Sequence, residues 1–184
     1  MIQRTIALFI IIILSPIFIF VSIIIFLNDG FPILYIQENY GINHEKFYLY
    51  KFRTMKKNTP ELPTEEFKNA DSYILPYGNF LRRYSIDELP QLINVLFGEM
   101  KLIGPRPCMI KNEDIVKNLR EKKGIQKIMP GITGWAQVNG RDLNSYEEKV
   151  NLDHYYMINR GFFLDLKIIF KTIKVVIFRV GIKH

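Results

Sequence analysis

Residues 5–27 read TIALFIIIILSPIFIFVSIIIFL, 23 consecutive positions without a charged side chain, interrupted near the middle by Ser15-Pro16. As one straight helix the run is about 35 Å long at 1.5 Å per residue, enough to cross a hydrocarbon core of about 30 Å. It is too long for the apolar region of a signal peptide, only Arg4 precedes it as a charge, and no small-x-small cleavage pattern follows before Asn28; it is read as a retained membrane segment. Pro16 removes one backbone donor and is expected to kink or break the helix. Two paths fit the residues. One is a spanning helix with a tolerated proline kink. The other is a re-entrant hairpin that bends at Ser15-Pro16 and leaves by the face it entered, the Ser15 hydroxyl satisfying a carbonyl freed at the bend.

Beyond this stretch the chain changes character. Arg4 is the only charged residue before Asp29, although the 184 residues contain 25 Lys and Arg against 18 Asp and Glu, a net charge of +7. The positive-inside rule therefore places the chain after the membrane segment in the cytoplasm. With 48% hydrophobic and 23% charged residues, general disorder is excluded. Cys108 is the single cysteine, which excludes an intramolecular disulfide and a multi-cysteine zinc site. The expected organisation is residues 1–28 as a membrane helix-break-helix and residues 29–184 as one membrane-interface domain, long enough to enclose a core. The fold class expected is α+β, mainly helical, with a short β-hairpin and amphipathic interfacial helices.

Within 29–184, Ile33 to Gln37 and Phe47 to Arg53 read as two strands around the turn-rich Asn39, Gly41 and Asn43. Residues 56–72, with Pro60 and Pro63, read as a polar surface loop. Helical spacing after Ser85 runs through Leu89, Leu92, Ile93 and Leu96 to Gly98. A polar helix is expected from Lys111 to Lys123, stopped by Gly124, and another from Ser145, where Glu148 completes a capping-box pattern. The segment 162–180 is an apolar helix whose Lys167, Lys171 and Lys174 share one arc. Two readings fit: a helix covering the domain core with a solvated basic stripe, or, favoured because the chain already enters the membrane, a helix lying in the interface with these lysines toward anionic head groups.

Four stretches carry chemistry. In Arg82-Arg83-Tyr84-Ser85-Ile86-Asp87-Glu88-Leu89-Pro90-Gln91, Ser85 is a candidate N-cap, which puts Asp87 at N2 and Glu88 at N3. There the helix dipole and backbone N–H groups favour an ionised carboxylate. Pro90 would then crowd the Ile86 carbonyl, so the first turn is distorted or the helix begins later. A bare helix cap is the bland alternative for the same two carboxylates. In Gly104-Pro105-Arg106-Pro107, two prolines restrain the backbone around Arg106, a residue suited to bidentate phosphate recognition. Pro130-Gly131-Ile132-Thr133-Gly134-Trp135-Ala136-Gln137-Val138-Asn139-Gly140-Arg141 offers three glycines for an anion-binding nest and Arg141 for charge, with Trp135 able to stack on a base or anchor at the interface. The fourth, Tyr50-Lys51-Phe52-Arg53-Thr54-Met55, is a basic and aromatic strand end, weak by itself.

Adjacent carboxylates, several arginines and a glycine-rich loop together point to phosphate handling. Mg²⁺ is the fitting ion, since it is held by one or two carboxylates plus substrate phosphates. His44, His154 and His184 show no ligand spacing. The absence of a P-loop, a GxGxxG and a Ser-His-Asp arrangement argues against a kinase or dehydrogenase. The basic residues are dispersed and no nucleic-acid reader motif occurs. A membrane-anchored, non-catalytic basic binding or assembly module is the rival class.

The broken apolar run with Ser15 and Pro16, the Lys51 stretch, Ser85 to Val95, Gly104-Pro105-Arg106-Pro107 and Pro130 to Arg141, in that order over nearly the whole chain, resemble the bacterial sugar transferase family of monotopic polyprenyl-phosphate phosphoglycosyltransferases. The resemblance implies transfer of a sugar 1-phosphate from a UDP-sugar to undecaprenyl phosphate, releasing UMP, early in surface glycan or glycoprotein glycan assembly. It implies Asp87 as a nucleophile forming a covalent phosphosugar intermediate and Glu88, with Asp87, as the Mg²⁺ site. It places phosphate and nucleotide contacts on Arg106 and Arg141, with Arg82 and Lys51 as further basic positions. It implies a re-entrant membrane helix at the bacterial inner membrane, the catalytic domain on its cytoplasmic face among the membrane lipids, and is compatible with a homo-oligomer. The chain departs from the family pattern at Met1-Ile2-Gln3-Arg4, Asn39, Met129 and residues 71–76, positions that bear on anchoring and substrate preference and leave the named site residues intact.

Overall fold

The computed structural model describes residues 2–57, 59, 70–110, 114–140 and 144–178. The membrane segment forms one long helix, α1 (Ile2–Asp29), with Pro16 inside it. The break expected at Ser15-Pro16 is not an interruption of the helix. Pro16 lacks the N–H that would bond the Ile12 carbonyl, and the Ser15 hydroxyl donates to that same carbonyl at 2.8 Å instead. The lost bond is replaced one residue earlier, so helical backbone continues.

Next come β1 (Leu34–Tyr40) and β2 (Lys46–Phe52), an antiparallel hairpin with Leu34 opposite Phe52 and Tyr40 opposite Lys46. Asn39, expected in the turn, lies in β1, buried opposite Phe47. The short β4 (Cys108–Met109) adds to the other edge of β1. Of the polar loop expected at 56–72, residues 58 and 60–69 lie outside the described residues, and Ala70–Tyr73 form a 3₁₀ turn. The helix α2 (Gly78–Arg83) follows, then a 3₁₀ turn over Ile86–Glu88 and α3 (Gln91–Phe97). A second, parallel strand pair joins β3 (Lys101–Ile103) to β5 (Gly131–Thr133). The remaining helices are α4 (Asp114–Lys122), the short α5 (Trp135–Val138), α6 (Tyr146–Asn159) and α7 (Phe162–Phe178).

Helix ends set by neighbouring residues fall where expected. Gly98 closes α3 at φ 87°, and Gly124 follows α4 at φ 71°. Ser145 and Glu148 form the reciprocal capping box of α6. Ser85 does not cap a helix: it sits in the left-handed region at φ 55° with no side-chain cap hydrogen bond. Pro90 delays the helix until Gln91, because its ring cannot follow a preceding helical turn without crowding it.

Three apolar clusters build the interior. The N-terminal half of α1 contributes Ala7, which packs with Phe47, Leu49, Leu92, Val95 and Met100. The C-terminal half contributes Val21 and Ile25, which pack with Phe52 and Leu81. Both halves thus pack on the same hairpin and its neighbouring helices, while Phe9, Ile12, Ile13, Ile19, Phe20 and Ile23 stay exposed on the opposite side. The third cluster joins Ile103, Val116, Ile128, Val150 and Ile168 among the C-terminal elements.

Helix α7 corrects its expected orientation. Lys167 and Lys171 bring their ammonium groups over the Trp135 ring, 5.4 and 4.8 Å from its centroid, and Lys171 also donates to the Asn139 side chain. These two lysines are thereby engaged with the protein. The exposed stripe is apolar instead: Leu166, Ile169, Phe170, Ile173 and Ile177. Burial falls to Ile168, and Thr172 shares a 2.7 Å hydroxyl hydrogen bond with Thr133 of β5.

Candidate active site

The 3₁₀ turn carrying Asp87 and Glu88 lies against the end of β2. Asn94 of α3, fully buried, secures that arrangement: its amide donates to the Tyr48 carbonyl at 2.6 Å and to Glu99 at 2.7 Å, and its oxygen accepts from Tyr50 N–H at 3.2 Å. Held this way, β2 presents Lys51 to Glu88, with Nζ 3.8 Å from Oε1. Arg106 approaches from the Gly104-Pro105-Arg106-Pro107 turn and donates from Nη2 to the same Glu88 oxygen at 2.9 Å. Arg82, at the end of α2, donates to the Thr54 hydroxyl at 3.0 Å. Lys51, Arg82, Glu88 and Arg106 thus surround Asp87, and each of the four acts electrostatically on its carboxyl.

The two carboxylates have different environments. Glu88 is paired with two cations. No group among the described residues hydrogen-bonds the Asp87 carboxylate. Burial, and then the adjacent Glu88 charge, push Asp87 up to about 6, with Lys51, Arg82 and Arg106 opposing the rise. The expectation of a carboxylate stabilised by a helix N-terminus is therefore corrected. Ser85 gives Asp87 no cap geometry, and desolvation makes it more basic than an ordinary aspartate. At neutral pH it is still mostly ionised, a better nucleophile than a solvated one. Burial also pushes the Lys51 ammonium down, with Arg106 adding to the effect and Glu88 opposing it.

In the glycine-rich stretch, Gly131 serves backbone packing. Gly131 N–H donates to the Pro105 carbonyl at 2.9 Å and Gly104 N–H to the Thr133 carbonyl at 2.8 Å. A Cβ on Gly131 would stand 2.1 Å from the Gly104 nitrogen. The glycines let two backbones touch, and that touch fixes the Arg106 turn against β5. Trp135 stacks on Tyr155, with centroids 5.6 Å apart at 26°, beneath the two lysines of α7; its ring is engaged within the protein. Arg141 lies outside the described residues. Ser15 and Pro16 remain within α1.

The carboxylate pair fits a divalent cation shared with substrate. Among the described residues no group of three or more His, Cys, Asp or Glu converges, so a cage made entirely by protein is not formed there. Mg²⁺ does not require one, being held typically by one or two carboxylates and the substrate's phosphates.

Two residues that sequence reading passed over have clear places here. Arg53, in the Lys51 stretch, is buried and reaches back to α1: it donates to the Asp29 carboxylate, to the Gly30 carbonyl at 2.7 Å and to the Pro32 carbonyl at 2.6 Å. Asp153 is a buried acid on the apolar side of α6, between Val150 and Tyr156. An acid in phase with an apolar helix face was the available signal for Asp153; for Arg53 there was none.

Residues 1–179 match the family described as bacterial sugar transferase. The chain is 40% identical over 188 aligned positions to an uncharacterized sugar transferase, EpsL, of Bacillus subtilis, covering 98% of this chain and 87% of that one. It is 35% identical to the exopolysaccharide production protein ExoY of Sinorhizobium fredii, covering 93% and 81%. It is also 35% identical to the UDP-glucose:undecaprenyl-phosphate glucose-1-phosphate transferase of Escherichia coli, over 89% of this chain and 37% of that longer protein.

Proposed function

The chain belongs to the bacterial sugar transferase family, and on that footing we propose that it transfers a sugar 1-phosphate from a UDP-sugar to undecaprenyl phosphate through a phosphosugar intermediate on Asp87. The observation that carries the reading is the asymmetry of the carboxylate pair: Glu88 is tied to Arg106 and Lys51, whereas Asp87 is desolvated and raised to about 6. An Asp87 carboxylate oxygen attacks the β-phosphorus. The new O–P bond forms as the bridging P–O bond breaks, and UMP leaves with that electron pair. An oxygen of undecaprenyl phosphate then attacks the same phosphorus and returns Asp87 as a free carboxylate.

Arg106, Lys51 and Arg82 supply positive charge around the diphosphate, offsetting the repulsion an anionic nucleophile meets at a phosphoryl group. Arg141 is assigned nucleotide or phosphate contact by its family motif. Asp87 and Glu88 would hold Mg²⁺, whose chemistry when bound is to polarise the phosphoryl oxygens and neutralise charge on the leaving group.

The membrane path we infer is re-entrant. Gln3, near the start of α1, accepts a hydrogen bond from Leu102 N–H at 3.0 Å, and Asp29, at its end, is held by Arg53. A helix crossing the bilayer would separate these ends across about 30 Å of hydrocarbon, yet both engage one domain. The exposed apolar sides of α1 and α7 then face lipid, and the active site lies at the cytoplasmic surface, where a soluble nucleotide sugar meets a lipid phosphate.

The test is UMP release by the purified protein from a panel of UDP-sugars with undecaprenyl phosphate and Mg²⁺, beside the Asp87→Asn variant. Without acceptor, intact-mass analysis should record a sugar-phosphate adduct on the wild type and none on the variant. A wild type inert across the panel, or a variant that turns over equally well, overturns the mechanism. For the membrane path, single cysteines at either end of residues 5–27 in a Cys108→Ser background should both be shielded from a periplasmic reagent. Labelling of the N-terminal end alone would show a crossing helix.

A further inference from the structure

Behind the Arg106 turn stands a buried ion pair that the reaction scheme does not use. Arg120 of α4 donates from Nη2 to Asp153 Oδ2 of α6 at 2.7 Å, and from Nη1 to the main-chain carbonyl of Arg106, also at 2.7 Å. The Asp153 side chain is 2% exposed and that of Arg120 13%. Burying two charges is a costly way to join two helices, and apolar packing does it at least as well. What a guanidinium adds is a planar fork with donors at fixed separation. One prong is anchored on the carboxylate, and the other is thereby aimed at a carbonyl.

The carbonyl it holds is the one on which Arg106 depends. Arg106 is flanked by Pro105 and Pro107, neither of which has an N–H to tie the turn down. The turn is held from one side by β5, through Gly131 N–H to the Pro105 carbonyl at 2.9 Å. Arg120 supplies a second hold, while the Arg106 side chain reaches Glu88 at 2.9 Å. We propose that Arg120, oriented by Asp153, is a positioning residue that fixes the Arg106 main chain so that its guanidinium stands on Glu88 and, with donor bound, on the diphosphate. This rests on the function proposed above. It assigns α4 and α6 a role in holding the donor site.

The experiment uses the full chain in lipid nanodiscs. Arg120→Lys keeps a charge opposite Asp153 and loses the second prong; Asp153→Asn keeps the fork and loses its anchor. Hydrogen exchange of the Leu102–Met109 peptide should accelerate several-fold in both variants and by more than exchange elsewhere in the domain; Asp153→Asn, which leaves the buried Arg120 without its anion, should also melt lower than the wild type. Unchanged exchange in both would overturn the proposal without reference to activity.

In a double-mutant cycle on kcat/KM for the UDP-sugar, Arg120→Lys alone should lose about tenfold, mainly through KM, and Arg106→Gln more. The Arg106→Gln/Arg120→Lys pair should then lose no more than Arg106→Gln alone, because Arg120 acts through Arg106. Multiplied losses mean that Arg120 only supports the fold. Should Arg120→Lys fail to fold, the same cycle with Asp153→Asn decides. A wild type without turnover refutes the proposed function, while the exchange measurement still decides the positioning role.

Discussion

Replacing Asp87 by asparagine should make the protein inactive and more stable. Burial and the Glu88 charge raise the Asp87 carboxyl from its ordinary 3.8 to about 6. That displacement corresponds to ~3 kcal/mol, at 1.36 kcal/mol for each tenfold change in proton affinity. The sign follows from which state binds protons more tightly. A carboxyl whose pKa is higher in the folded chain contributes stability fully below its unfolded value, and that contribution is lost as pH rises through about 6.

At pH 8 the wild type therefore carries the whole cost of a desolvated anion beside another anion. Asparagine, neutral throughout, avoids it. In nanodiscs without nucleotide or divalent cation, Asp87→Asn should melt higher at pH 8 by at most about 6–12 °C, taking about 2–4 °C per kcal/mol for a chain of this size. The gain should shrink to about half by pH 5, as the wild-type carboxyl takes up its proton. Glu88→Gln is the contrasting control: it leaves Lys51 and Arg106 without their anion and should lower stability. The reasoning is refuted if Asp87→Asn melts no higher than wild type at pH 8, or if its advantage is the same at pH 5.

Two further outcomes follow from the site and its supports. For the wild type, kcat/KM for the donor should fall as pH drops through about 6, where the Asp87–Glu88 pair takes up a proton; an acid limb near 4 in the pH–rate profile would contradict the desolvated environment. Gly131→Ala places a methyl 2.1 Å from the Gly104 nitrogen and 2.5 Å from the Ile103 carbonyl carbon. It should cost about 1–3 kcal/mol or more through overpacking and disturb the Arg106 turn, measurable as a lower melting temperature with lost turnover, whereas Gly161→Ala, with nothing within 4 Å, should be neutral.

The features read correctly from sequence are those settled within a few residues of chain. The long apolar helix, the hairpin, the ends at Gly98 and Gly124, and the Ser145–Glu148 box depend on hydrophobic runs, backbone freedom and short-range hydrogen bonds. Even Ser15 belongs here, since its hydroxyl serves a carbonyl three residues away. Misreadings arose where a local pattern had two physical uses. Ser85 with Glu88 looks like a capping box, but Pro90 prevents the helix from starting there. Glycines that permit a nest equally permit two backbones to touch, and Gly131 against Gly104 does the latter. The lysine arc of α7 could face water or a partner, and Trp135 decided for two of the three.

Residue types and spacing pointed to a basic domain beside a membrane with phosphate handling as its expected chemistry, and the family resemblance singled out Asp87, Glu88, Arg106 and Lys51, which the fold brings together. The division of labour among them came only with the fold. A carboxyl's proton affinity depends on how much water is removed and which charges stand within a few ångströms, and here those charges come from β2, α2 and the Arg106 turn, up to tens of residues away in the chain. Neither the pairing of Glu88 nor the support of Arg106 by Arg120 and Asp153 leaves a trace in spacing, because each depends on segments that meet only after long-range packing brings them together.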